Sequence, residues 1–122
     1  MRRHEFTAVM RQAISELPLP IRRALRNVVI ELHERPSRRI LQEAGLRRAD
    51  DLLGWYEGTP LTERGTDYGM VAPDRILIFQ RPIESACRKR HHLIEQIQIT
   101  VRHEVGHHLG LDEEALDQLG LG

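Results

Sequence analysis

Cysteine occurs once in this 122-residue chain, at Cys87, so no internal disulfide is possible. Aromatic residues are only 4% of the total. The one concentrated basic run, Arg88-Lys89-Arg90-His91-His92, therefore lacks the aromatic or further basic partners that a nucleic-acid surface needs. Neither sign of charge dominates: 18 basic residues balance 18 acidic ones. No global field drives the chain onto nucleic acid or anionic lipid. Long apolar runs are missing too, and nothing approaches the ~20 residues that span a bilayer. The segment Met1-Arg2-Arg3-His4-Glu5 leads into a mixed polar helix, unlike the apolar core of a secretion signal. A cytoplasmic protein without a membrane partner is the expectation.

What is present is ordinary for a globular protein: 40% hydrophobic and 30% charged residues. The length suits one domain over residues 1–122. Residues 5 to 17 read as an amphipathic helix, with Phe6, Val9, Met10, Ala13, Ile14 and Leu17 at three- and four-residue spacing, ended by Pro18 and Pro20. A short helical piece around Ile21 to Arg26 feeds Asn27 to Glu34, where Val28, Ile30 and Leu32 alternate as in a strand with one buried face. His33 then falls on a polar edge, with nothing nearby to complete a metal site. A short helical stretch lies within Pro36 to Gly45, and the arginines around it read as a solvated face. Leu52 to Glu57 is a candidate second strand anchored by Trp55 and Tyr56. Thr59 to Ala72 is a long loop, and its Tyr68 reads first as an amphipathic surface residue, with a role in holding a reaction intermediate as the alternative. Arg75 to Gln80 is near-continuously apolar, as in a central strand covered on both faces. Pro82 opens a short helix through Cys87, which reads as a small buried hydrophobe.

The stretch from Thr100 to Glu113 carries the chemistry. It closes a long helix from His92 to Leu109, whose apolar stripe is Ile94, Ile97, Val101, Val105 and Leu109. Within it, His103-Glu104-Val105-Gly106-His107 is an H-E-x-x-H motif. Residues four apart lie about 40° apart on one helix face, so His103 and His107 can offer two imidazole nitrogens to one metal ion. Glu104 is offset by about 100° and can reach a water held there. His92 lies on the same face but about 16 Å of helix away. His108 falls near the apolar stripe and reads as packing or hydrogen-bonding. Gly110 supplies a left-handed helix stop, after which Asp112, Glu113 or Glu114 can return as a third ligand.

With these residues in view, the chain resembles the minimal zincin-like metallopeptidases, which are short bacterial proteins. The likeness extends through G-W-Y-E-G-T-P-L-T-E-R-G (54–65), P-D-R-I-L-I-F (73–79), R-P-I-E-S-A-C-R (81–88) and H-E-V-G-H-H-L-G-L-D-E (103–113). It implies an α+β fold: a small mixed sheet packed against a long H-E-x-x-H helix and flanking helices, in one compact domain. It also implies one Zn²⁺ per chain, held by His103, His107 and Glu113, with Glu104 as catalytic base. Many relatives carry Asp where this chain has Glu113. The choice of Glu113 over Asp112 rests on motif position and on Asp112 being well placed to cap a final helix over 112–119.

Zinc with three protein ligands leaves one position for water and lowers its pKa to about 7. Peptide hydrolysis is the first expectation, with a peptide or protein as substrate. A strand lying parallel to the metal helix would present its edge above the ion for a peptide to pair with. Metal-dependent ribonucleases with H-x-x-x-H-x-x-G-x-x-H form a second class, disfavoured by Glu104 and by Glu rather than His at 113. The third class is a weakly active or inactive partner-binding domain, since so short a chain has little wall with which to build a deep cleft.

Overall fold

The computed structural model describes residues 1–58 and 74–110, together with Glu114 and Gln118. The first helix, α1 (Arg3–Ser15), turns Phe6, Val9, Met10 and Ala13 inward on one stripe. Proline then interrupts the chain: Pro18 is the N-cap of α2 (Leu19–Ala24), and Pro20 sits in its first turn, where a missing N–H costs nothing.

Three strands follow among the described residues. They are β1 (Val28–His33), β2 (Gly54–Glu57) and β3 (Asp74–Phe79), in the spatial order β1-β3-β2. β3 is central, parallel to β1 with Ile30 opposite Ile76, and antiparallel to β2 with Trp55 opposite Leu77. Both its faces are covered, as its apolar run predicts. Ile76 and Ile78 enter the main core, while Leu77 and Phe79 form a second cluster with Ile40, Leu52 and Trp55. β1 shows the expected alternation, with Leu32 buried and Val29 exposed.

The second face is closed by α3 (Arg38–Ala44). Its N-cap Ser37 accepts a hydrogen bond from Ile40 N at 3.2 Å, and Gly45 ends it at φ 72°. Not all the arginines of this region are merely solvated. Arg39 pairs with Glu57 at 2.7 Å and Glu43 at 3.0 Å, and Arg75 pairs with Glu57 at 2.6 Å and Glu31 at 3.2 Å. The result is a ladder of charge across all three strands.

Directly after β3, α4 (Gln80–Ala86) turns the chain into α5 (Arg90–His108). Cys87 is the residue after α4 and is only half-buried, a correction to its placement inside the helix and in the core. Burial, and then the Glu95 carboxylate, push its thiol pKa up, so it is a poor nucleophile. Two positions in or next to α5 also differ from expectation. Leu93 is buried although it stands outside the apolar stripe, whereas Leu109 is 55% exposed because the helix ends at His108. Ile97, Val101 and Val105 pack against α1 and the sheet. Among the described residues, no helix is long and apolar enough to cross a membrane.

Candidate metal centre

The last two turns of α5 place His103 Nε2 and His107 Nε2 3.2 Å apart, with ring centroids 4.7 Å apart. A tetrahedral zinc with Zn–N bonds of about 2.0–2.1 Å sets two nitrogen ligands about 3.3–3.4 Å apart. The pair therefore fits a shared ion to within a few tenths of an ångström. Together with a carboxylate oxygen of Glu104, the ligand atoms all lie within 4.8 Å of one another, a group that could hold a metal ion. His107 is exposed and His103 half-buried, so the site opens outward, whereas Glu104 is only 6% exposed.

Glu104 is covered by β2. A Cβ built on Gly54 would overlap the Thr100 methyl group and approach Glu104 Cγ to 3.6 Å. The strand can lie this close to the helix only because residue 54 has no side chain. Two residues further along β2, the Tyr56 ring lies 5.6 Å from that of His108. That step of about 6.6 Å along a strand matches the step of about 6 Å from Glu104 to His108 along the helix. β2 thus runs beside α5 in the same direction, the arrangement expected of a strand that presents its edge at the site.

The other histidines separate as their spacing predicts. His33 bonds Glu31 at 2.9 Å on the far face of the sheet, and His92 lies in tilted ring contact with His91 at the exposed start of α5. His108 Nδ1 contacts Asp74 Oδ2 at 2.5 Å. Gly110 has φ 77°, the left-handed stop foreseen from its position. Asp112, Glu113 and Tyr68 lie outside the described residues, while Glu114 is helical and exposed. Sequence reasoning overlooked Gly54 and Asp74. Each carries a weak signal: a glycine inside a strand marks close backbone approach, and Asp74 is the one carboxylate in the segment that forms the central strand.

A family model for zincin-like metallopeptidases matches residues 25–122, most of the chain and all of the site, so the chain belongs to that family. Among curated proteins none matches it. Membership implies zinc and peptide hydrolysis at the level of the family.

Proposed function

We propose that the chain is a zinc-dependent metallopeptidase in which His103, His107 and Glu113 hold the ion and Glu104 is the general base. The observation that carries this reading is the His103–His107 nitrogen pair at 3.2 Å with the buried Glu104 carboxylate beside it. Bound zinc would lower the pKa of water to about 7 and polarise the scissile carbonyl. A carboxylate oxygen of Glu104 lies within 4.8 Å of both ring nitrogens, near enough to act on a water held beside them. There Glu104 accepts the proton of the attacking water and delivers it to the leaving nitrogen. Its low exposure keeps competing solvent from that carboxylate. β2 has β3 on one side only among the described residues, so its other edge is the candidate for pairing with an extended peptide.

Metal content and peptide hydrolysis test the proposal together. Purified protein should hold about one zinc per chain, and His103→Ala or His107→Ala should abolish it. Glu104→Gln should keep the zinc while hydrolysis of unstructured peptides falls by a factor of about 10² to 10⁴. Equal trace activity in Glu104→Gln and wild type would refute catalysis and leave a metal-bearing binding domain.

A further inference from the structure

Asp74 is the first residue of β3 and is 2% exposed, a buried carboxylate at the head of the strand. Leaving such a group isolated in the interior costs several kcal/mol. Instead it joins three elements. The Tyr56 hydroxyl on β2 donates to Asp74 Oδ2 at 2.9 Å, and His108 Nδ1 on α5 contacts the same oxygen at 2.5 Å. The Tyr56 and His108 rings are themselves in tilted contact. Backbone closes the cluster from above: a Cβ on Gly58 would overlap the Tyr56 hydroxyl and come within 2.7 Å of Asp74 Oδ1.

The position of this joint gives it a consequence for the site. His108 is the last residue of α5 and directly follows His107. Helix ends fray where the final carbonyls lose their intrahelical partners. His108 is followed by the C-cap Leu109 and the left-handed Gly110, which take the chain out of the helix. The two ring nitrogens sit 3.2 Å apart across this last stretch of helix, so a movement of the final turn changes their spacing directly.

We infer that Asp74, gripped by Tyr56, is a positioning residue for the metal site. Through His108 it holds the final turn of α5 against the sheet, setting His107 opposite His103. The inference rests on the metal-site reading above and adds to it three residues outside the ligand set, Asp74, Tyr56 and His108. Metal-site partners outside the ligand set typically contribute 10–100-fold in affinity, and this one acts through the helix backbone.

The test is zinc affinity, measured by competition with a chromophoric chelator, together with the visible absorption of the Co²⁺-loaded protein. Asp74→Ala should weaken zinc binding about 10- to 100-fold and change the Co²⁺ bands. Asp74→Asn, which keeps the shape and one acceptor oxygen, should recover part of the loss. Tyr56→Phe should cause a smaller loss of several-fold. Circular dichroism identifies the folded variants, and if Asp74→Ala does not fold, the other two decide. A purely structural role would lower the melting temperature of these variants while leaving folded protein with wild-type zinc affinity and Co²⁺ bands, and that result overturns the inference. If wild type itself binds no zinc, the metal-site reading falls first, a different and separately visible outcome.

Discussion

Replacing Gly54 with alanine tests the packing on which the site depends. The added methyl would overlap Thr100 Cγ2 and sit 3.2 Å from the Leu77 carbonyl oxygen. Neither neighbour yields easily. Thr100 is buried on α5, its hydroxyl donating to Gln96 O at 2.8 Å, and Leu77 belongs to the central strand. Overpacking of this kind costs about 1–3 kcal/mol. For a chain of this size that corresponds to a melting point lower by roughly 3–5 °C per kcal/mol. Because the clash is specific, so is its remedy. Thr100→Ser removes the methyl and keeps the hydroxyl, so the double variant should recover most of the loss. That is a coupling of about 1–2 kcal/mol in a double-mutant cycle. Denaturant unfolding followed by fluorescence of Trp55, the single tryptophan, measures it next door to the perturbation. Additive losses, or a Gly54→Ala variant as stable as wild type, would refute the close approach of β2 to the metal helix.

Two other expectations concern the third ligand and the charge ladder. Glu113→Ala should weaken zinc binding by well over tenfold and Asp112→Ala much less, and the reverse order in a chelator competition would move the ligand to Asp112. The Glu31 carboxylate is held below its ordinary pKa of 4.5 by the hydrogen bond from His33 and then by Arg75, against the opposing effect of burial. A lowered folded-state pKa stabilises the fold above the unfolded value and loses that contribution as pH falls through the folded one. Glu31→Gln should therefore destabilise at neutral pH and cost progressively less below about pH 4.5, the ordinary carboxylate value. A pH-independent difference in urea midpoint between the two proteins would count against it.

The elements legible from the sequence are those with local causes. The H-E-x-x-H spacing needs only one helix to bring two imidazoles together, and Gly110 announces the helix end by its chemistry alone. The centrality of β3 follows from an apolar run with no polar alternation. Element ends were less legible. α5 begins at Arg90 rather than His92 because the basic run joins its first turn, and Leu109 escapes burial because the stripe outlasts the helix by one residue. Non-local pairings left almost no trace. The contacts from Asp74 to Tyr56 and His108 join residues 18 and 34 positions apart, and no periodicity encodes them.

That asymmetry is physically informative. Among the described residues, the buried polar or charged side chains are Asp74, Gln80, Thr100 and Glu104. Gln80 is accounted for by its bond to Met1 O at 2.9 Å, near α4. The other three line a single seam, where Gly54 and Tyr56 of β2 meet α5. An apolar seam would be cheaper to bury and easier to fold, since each isolated charge in the interior costs several kcal/mol. Gln80 apart, the rest of the described core obeys its binary pattern, so the exceptions are not scattered tolerance of polar groups. Sequences depart from consistent patterning chiefly where a site demands it. The departure here falls in one place, and it pairs the carboxylate proposed to move protons with the carboxylate proposed to hold the helix that bears the histidines. β2 therefore carries two tasks with four residues: Gly54 lets it cover Glu104, and Tyr56 lets it fasten Asp74. A change in either residue should disturb the site before it disturbs the sheet, whose central strand keeps β1 as its other partner.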